Sequence, residues 1–158
     1  QVVLASRRLQ NTPDWLPMAN VIKIQWNLPD SLYEATHGID VVVHMAGMNA
    51  QDCVAEPVTA LEVNGVATTR LLQSAIQQGV KRFIYLSTAH VYGNSLTGVI
   101  TEESCPVAIH PYATSHRAGE DVVIAAHQIG SIEGKSSYGF QMRLALQLIR
   151  VQIAGHCW

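Results

Sequence analysis

Short apolar runs alternate with amphipathic segments along most of the chain. The apolar runs occupy residues 2–5, 21–26, 40–46 and 82–88. The first, third and fourth runs are almost continuously apolar and rich in β-branched residues, which is typical of strands buried on both faces of a parallel sheet. The second run alternates apolar and polar residues and therefore indicates a strand nearer an edge. The pattern predicts four strands in this part of the chain.

Three helices are predicted between and after these strands. Asp30 and Ser31 are suited to cap a short helix that ends at Gly38. A long helix is expected over residues 57–79, with proline in its first turn and glycine at its end, and a third helix over about 111–130. The core-facing stripe of the long helix consists of Val58, Leu61, Leu71, Leu72, Ala75 and Ile76. This alternation predicts an α/β fold with a doubly wound parallel sheet, whose ligands bind beyond the carboxyl ends of the strands.

The composition is that of an ordinary globular domain. Of the 158 residues, 48% are hydrophobic and 14% are charged, which excludes a disordered chain and a disulfide scaffold. The net charge of -2 and the pI of about 6.4 provide no basic field for nucleic acid or an anionic membrane. No apolar run is long enough to span a bilayer and no signal peptide is visible, so we expect a cytoplasmic protein.

The cysteines and histidines do not predict a metal site. Cys53, Cys105 and Cys157 are odd in number, far apart and outside any Cys-x-x-Cys pair, which argues against zinc and against disulfides. The seven histidines lack the spacing of metal ligands. His44 and His90 are interpreted as hydrogen-bonded packing residues, with a substrate contact of His90 as the alternative.

One group of side chains suggests chemistry on a carbonyl or carbinol. Thr88 ends a predicted strand, and Tyr112 and His116 lie four positions apart, on one face of a predicted helix. The tyrosine could exchange a proton with a substrate oxygen that the hydroxyl at the strand tip hydrogen-bonds. The neighbouring nitrogen base could stabilise the tyrosinate and orient the ribose of a dinucleotide.

Four segments resemble motifs of the extended short-chain dehydrogenase/reductase family, also called the NAD-dependent epimerase/dehydratase family. Residues 40–47 are similar to its D-x-V-x-H-x-A-A/G strand, and Asn64 lies in a segment similar to V-N-x-x-G-T. Residues 86–93 are similar to S-S/T-x-x-V-Y-G, and Tyr112 stands where the family has the tyrosine of Y-x-x-x-K. The resemblance covers residues 2 to about 134 and implies a Rossmann-like doubly wound sheet.

The resemblance also implies a catalytic group, with one departure. Tyr112 would be the general acid/base, Thr88 the hydroxyl that binds the substrate oxygen, and Asn64 the support of a bound water. His116 stands where the family has lysine. Histidine titrates near pH ~6.5, so an imidazolium at His116 would favour tyrosinate less reliably above that pH. It could still hydrogen-bond a ribose hydroxyl; the alternative is that His116 marks lost catalysis.

The expected cofactor is NAD or NADP. An acidic residue after the strand of residues 2–5 would bind a ribose 2′-hydroxyl and indicate NAD. Ser6, Arg7 and Arg8 follow instead, and they suit the 2′-phosphate of NADP. The alternative is that both arginines are surface charges only. The expected cofactor-binding residues are Ser6, Arg7, Asn27, Leu28, Ala46, Gly47, Tyr112 and His116.

The resemblance further predicts an incomplete sheet. The family's first strand and its G-x-x-G-x-x-G turn are expected before residue 1, so the strands that begin at Val2 and Asp40 would lack their shared neighbour. Residues 1–134 are therefore expected to form a partial NAD(P)-binding domain. Residues 135–158 form an unaligned tail, for which a one-base shift of the reading frame is our hypothesis and a helical C-terminus the alternative.

The family resemblance implies an NAD(P)-dependent oxidoreductase of the epimerase, dehydratase or reductase type. Its substrate would be a carbonyl or carbinol, most often in a nucleotide-activated sugar. A homodimer of the full-length protein is compatible with the resemblance. A non-catalytic dinucleotide-binding or sensor protein and an inactive gene remnant are the other two hypotheses. The chain on its own is expected to be inactive, because the glycine-rich turn that holds a pyrophosphate is not in it.

Overall fold

A computed structural model describes residues 1–8, 11–93, 98–101 and 103–137 of the chain. The described strands are β1 (Val3–Ser6), β2 (Asn20–Lys23), β3 (Val41–His44), β4 (Arg82–Leu86) and β5 (Glu133–Ser137). The described helices are α1 (Pro29–Thr36), α2 (Ala50–Ala55), α3 (Pro57–Ala60), α4 (Ala67–Gln77) and α5 (Pro111–Gln128). A π-helical turn (Leu61–Val66) joins α3 to α4, and a 3₁₀ turn (Ala89–Tyr92) follows β4. The element order confirms the predicted α/β class.

The strands form two separate parallel groups. β1 pairs with β2, and β4 lies between β3 and β5. Within the described residues no ladder joins β1 to β3, as expected if these strands lack their shared neighbour. β2 is an edge strand, in agreement with its alternating pattern. The expectation that β1 and β3 are buried on both faces is wrong. No residue of β1 is fully buried, and Val41 and Val43 of β3 are 46% and 36% exposed. In the described part of the chain, β1 pairs only with β2 and β3 only with β4.

The last described strand lies partly in the segment without a recognisable motif. β5 pairs in parallel with the whole of β4, from Arg82 opposite Glu133 to Leu86 opposite Ser137. The start of the 135–158 tail therefore has a place in the sheet. The remainder of that tail, residues 138–158, lies outside the described residues, and the boundary at residue 134 stays a prediction.

The start of α1 differs from the predicted cap, whereas its end agrees. The helix begins at Pro29, after Leu28, and no side chain caps it. Ser31 Oγ instead accepts the N–H of Gln25 at 2.9 Å, which ties the loop after β2 to the helix. Gly38 follows the helix with a φ of +67°, in the left-handed region that glycine tolerates.

The predicted long helix is interrupted by the π-helical turn. Leu72 and Ala75 are buried as predicted, but Val58 and Leu61 are 71% and 46% exposed. In an uninterrupted α-helix of about 3.6 residues per turn, Leu61 and Leu72 would share a face. The π turn has more residues per turn and therefore changes the angular position of the residues before it relative to α4. As a result, Val58 and Leu61 point away from the core. Such turns often occur at functional sites, and this one carries Asn64.

The core lies between β4 and helices α4 and α5. Phe83 and Tyr85 of β4 are fully buried in one apolar cluster with Val123 of α5. α5 approaches closely at Gly119, where a Cβ would lie 2.7 Å from the carbonyl oxygen of Asn64 and 2.8 Å from the Tyr85 hydroxyl. Glycine is therefore required where α5 crosses the π turn and β4.

Three further features bear on function. Within the described ranges, no helix has the length and apolar character to cross a membrane, and no group of three or more His, Cys, Asp or Glu side chains could hold a metal ion. Cys53 is buried and Cys105 is exposed, both as free thiols. His44 is buried, with Nε2 3.0 Å from Thr68 Oγ1, which confirms its interpretation as a hydrogen-bonded packing residue.

Candidate active site

Tyr112 and His116 are presented together by the first turns of α5. Pro111 starts the helix, and His110 Nδ1 accepts the N–H of Tyr112 at 3.3 Å as an N-terminal cap. The spacing of four residues places Tyr112 and His116 on one face, as predicted, with ring centroids 4.6 Å apart and ring planes at 74°. Both side chains line a cavity of about 250 Å³.

This cavity lies beyond the carboxyl ends of β3 and β4, where an α/β sheet binds its ligands. Its wall is formed by Met45, Gly47, Met48, Asn49, Leu86, Ser87, Tyr112 and His116. A Cβ at Gly47 would lie 3.2 Å from both Asn64 Oδ1 and His116 Cε1, so a small residue is needed there. Gly47, a predicted cofactor residue, thus lies against His116, and Ala46 is half-buried beside it.

His116 is almost completely buried, with 5% of its surface exposed. Its Nδ1 lies 2.8 Å from the Tyr85 hydroxyl, and the two rings stack at 28°. Burial lowers the pKa of His116 from 6.5 to about 4, because desolvation penalises the charged ring. The ring is therefore uncharged near neutral pH and does not supply an imidazolium that favours tyrosinate there, and it keeps one N–H donor and one acceptor nitrogen.

Asn64 is fully buried and joins three parts of the site. Its Oδ1 accepts the N–H of Met48 at 2.8 Å, and its Nδ2 donates to Ser115 Oγ at 2.9 Å. Its backbone carbonyl accepts the hydroxyl proton of Thr68 at 2.7 Å. The side chain thus ties the π turn to the loop after β3 and to α5. Its expected part in holding a water stays a prediction.

Thr88 and Ser87 share the tip of β4. Thr88 is half-buried, and its Oγ1 accepts the N–H of His90 at 3.3 Å, which leaves the hydroxyl proton for another acceptor. Ser87 is the first residue of the S-S/T-x-x-V-Y-G match but was not predicted as a site residue; it lines the cavity, and its buried Oγ has no hydrogen-bond partner within the described chain. Strand alternation could have identified it, since Ser87 lies two residues after the inward-facing Tyr85.

A second cavity, of about 400 Å³, contains one predicted cofactor residue. Arg7 lines it together with Met48, which also lines the first cavity. Burial, and then the neighbouring charge of Arg8, lower the pKa of Arg7. Asp52 and Glu56 belong to the same wall. The arginine that suits a phosphate therefore shares its cavity with two carboxylates.

The other predicted cofactor residues lie at the end of β1 and in the loop between β2 and α1. Asn27 Oδ1 accepts from Arg70 Nη1 at 2.8 Å, which joins this loop to α4. Leu28 is 50% exposed and immediately precedes α1, and Ser6 is the half-buried last residue of β1. In the part of the chain that the structure describes, Ser6, Asn27 and Leu28 belong to the wall of neither cavity.

Comparison with known proteins identifies a family. The model of the NAD dependent epimerase/dehydratase family matches residues 1–140. The chain is 40% identical over 85 residues to the dTDP-D-glucose 4,6-dehydratase of Mus musculus, a match that covers 52% of this chain and 23% of the relative. It is 31% identical over 94 residues to the UDP-glucose 4-epimerase of Halalkalibacterium halodurans, covering 59% and 28%.

A solved structure shares the fold. DesIV, a dTDP-glucose 4,6-dehydratase from Streptomyces venezuelae with NAD and TYD bound, matches with a TM-score of 0.72 and 28% sequence identity. The match covers 78% of this chain and 38% of that one. The chain spans less than a third of the length of the two curated relatives that it matches. From the family match over most of its length, the chain belongs to the NAD-dependent epimerase/dehydratase family.

Proposed function

We propose that the protein containing this chain is an NAD(P)-dependent oxidoreductase of the epimerase or dehydratase type that acts on a nucleotide-activated sugar. The observation that carries this proposal is the pairing of Tyr112 and His116 on one face of α5, with both rings in the wall of one cavity. The matched relatives, a dTDP-D-glucose dehydratase and a UDP-glucose epimerase, support the substrate class.

Tyr112 is proposed as the general acid/base. It is half-buried in the cavity wall, so an oxygen of a bound sugar can reach its hydroxyl. When a carbinol is oxidised, its hydroxyl proton passes to the Tyr112 oxygen, and when a carbonyl is reduced the proton returns. Thr88 is proposed to hydrogen-bond the same substrate oxygen with the proton that its contact to His90 leaves available.

His116 and Asn64 are proposed to support this proton transfer. Because burial keeps His116 uncharged, its role is that of a hydrogen-bond donor to a ribose oxygen and not of a cation beside Tyr112. Tyrosinate at Tyr112 then forms less readily than it would beside a lysine. Asn64 positions α5 through its hydrogen bond to Ser115.

The residues present fit a dinucleotide. The two cavities share Met48, and the buried Ser87 hydroxyl in the smaller one has no partner in the described part of the chain. When bound, NAD or NADP supplies the two-electron oxidation and reduction. The positive charge of Arg7 favours the 2′-phosphate of NADP. The negative charges of Asp52 and Glu56 beside it disfavour that phosphate and therefore support NAD. The residues proposed to hold the cofactor are Ser6, Arg7, Asn27, Leu28, Ala46, Gly47, Tyr112 and His116.

Three properties of the whole protein belong to the same proposal. A cytoplasmic location agrees with the free thiols of Cys53 and Cys105. A homodimer is supported by an exposed apolar strip formed by Val54, Val58 and Leu61, which are 54%, 71% and 46% exposed. The 158-residue chain alone is proposed to be inactive, and the lack of a ladder between β1 and β3 among the described residues supports this.

Turnover by the full-length protein tests the proposed function. NAD or NADP is supplied with a panel of dTDP-sugars and UDP-sugars, and the sugar products are separated by chromatography. Tyr112→Phe is expected to lower kcat by about 100-fold or more, because the proton exchanger is lost. Tyr33→Phe removes a hydroxyl from a half-exposed tyrosine of α1 and is the matched control. Conversion by Tyr112→Phe at the unmodified rate would contradict the proposal.

A second candidate function is a non-catalytic dinucleotide-binding or sensor protein. The uncharged state of His116 favours it, because no cation then stands where the family has lysine. This alternative predicts that the full-length protein changes the fluorescence of reduced cofactor but converts no sugar of the panel. Cofactor binding and turnover measured on one sample therefore distinguish the two functions.

A further inference from the structure

We propose that Tyr85 is a positioning residue that holds His116 in one neutral tautomer, with Nδ1 accepting the phenol proton and Nε2–H presented to the cavity. The Tyr85 hydroxyl lies 2.8 Å from His116 Nδ1, and the ring centroids are 6.0 Å apart in a stacked arrangement. Tyr85 is fully buried in the core of β4, so its hydroxyl is a fixed partner for the histidine.

The direction of this hydrogen bond follows from the groups around Tyr85. Burial, and then the charge of Glu120, raise the pKa of the phenol, while Thr68 opposes them to a smaller extent, so Tyr85 keeps its proton. Thr68 commits its own hydroxyl proton to the carbonyl of Asn64. Two acceptors face the buried phenol proton: Thr68 Oγ1, which also lies 3.0 Å from His44 Nε2, and His116 Nδ1 at 2.8 Å. The 2.8 Å contact carries the proposal that Tyr85 donates to His116 Nδ1.

The other nitrogen of His116 faces the cavity. A Cβ at Gly47 would lie 3.4 Å from Nε2, and Gly47 and His116 belong to the same cavity wall. A neutral imidazole carries one N–H, so Nε2 becomes a donor when Nδ1 accepts. The titratable groups that face this pair are His44 of β3 and, from α5 itself, Glu120 and Tyr112.

The ligand group that this donor fits is an oxygen acceptor, such as a ribose hydroxyl. This last assignment rests on the proposed function, whereas the tautomer itself does not. A lysine could turn its ammonium group toward such an oxygen freely, since all its protons are equivalent. A histidine presents a donor there only in one tautomer, and Tyr85 selects it.

The tautomer is measured by ¹⁵N NMR of the histidine rings in the protein without cofactor or substrate. At neutral pH, His116 is expected to show an unprotonated Nδ1 and a protonated Nε2, with its signals assigned by their loss in His116→Gln. In Tyr85→Phe, the two nitrogen shifts are expected to converge as both tautomers become populated. Tyr33→Phe, whose ring stacks on His37, is the matched control and should leave the His116 shifts unchanged.

A protonated Nδ1 in the unmodified protein, as when Tyr85 donates to Thr68 instead, would overturn the proposal. Unchanged His116 shifts in Tyr85→Phe would overturn it as well. If Tyr85→Phe does not fold, scalar coupling between the Tyr85 hydroxyl proton and His116 Nδ1 in the unmodified protein decides: its presence supports the proposal and its absence overturns it. Because no sugar or cofactor is added, failure here is distinguishable from failure of the proposed function.

Discussion

Replacing Gly119 by alanine perturbs the contact that holds α5 against the rest of the site. The new Cβ would lie 2.7 Å from the Asn64 carbonyl oxygen, 2.8 Å from the Tyr85 hydroxyl and 2.9 Å from Tyr85 Cζ. Ordinary contacts of a Cβ lie at 3.4–4 Å. The opposing atoms belong to the backbone of the π turn and to a fully buried ring, so neither can give way cheaply.

The magnitude follows from three contributions. Overpacking of a well-packed interior costs about 1–3 kcal/mol. Displacement of the Tyr85 hydroxyl from His116 costs about 1 kcal/mol more, because one net hydrogen bond is weakened. The better helix propensity of alanine recovers about 1 kcal/mol. The second and third contributions cancel. Gly119→Ala is therefore expected to lower the free energy of unfolding by about 2 kcal/mol, the midpoint of the range for overpacking.

Urea unfolding followed by circular dichroism and tryptophan fluorescence measures this loss. Gly65→Ala is the matched control in the same region, since its Cβ would meet the Cβ of Ala118 at 3.4 Å, an ordinary distance. It is expected to be neutral or to stabilise the protein by up to about 1 kcal/mol. The reasoning is refuted if Gly119→Ala has the unfolding midpoint and slope of the unmodified protein, or if both variants are destabilised equally.

Three other predictions concern acid stability, cofactor binding and the C-terminal tail. Burial lowers the pKa values of His44 and His116 from 6.5 to about 4, so the unfolded chain binds more protons between these pH values. The free energy of unfolding should fall on acidification by up to about 1.4 kcal/mol per pH unit for each of these two histidines, and His116→Gln should lower that slope in urea unfolding at several pH values. Gly47→Ala should raise the Kd of NAD(P) for the full-length protein several-fold in a fluorescence titration, because its Cβ crowds His116; an unchanged Kd would speak against a cofactor contact there. Sequencing the coding DNA should show that a one-base shift within codons 135–158 gives R-L-S-D-A-F-G-A-P, the kind of run that the family resemblance implies after residue 134; any other translation refutes the frameshift hypothesis.

The elements predicted correctly are those set by local pattern. The β-branched run at Val41 predicts a strand, and Pro111 predicts the start of α5, because backbone preference alone decides both. The π turn could not be predicted, since periodicity assumes a constant number of residues per turn. That assumption wrongly placed Val58 and Leu61 in the core. The short helix α2 was not predicted either.

In the candidate site, too, features set by local sequence were predicted and features set by tertiary contacts were not. The spacing of Tyr112 and His116 predicts their shared face, because a helix repeats locally. The lowered pKa of His116 depends on its burial, and its hydrogen-bond partner Tyr85 is 31 residues away in sequence. Ser87 follows β4 and lies on the face that strand alternation indicates, but the cavity that it lines also requires Tyr112 and His116 of α5. Such contacts are tertiary, so no single segment of the sequence reveals them.

The most direct test is a crystal structure of the full-length protein with NAD and a dTDP-sugar or UDP-sugar bound. The quantity to measure is the distance from the Tyr112 hydroxyl to the nearest oxygen of the sugar ring substituents. We predict a distance of about 2.6–3.2 Å, within hydrogen-bond reach, with His116 Nε2 hydrogen-bonded to a ribose oxygen. A sugar bound outside the cavity between β3, β4 and α5, with Tyr112 beyond hydrogen-bond reach, would contradict the proposed function.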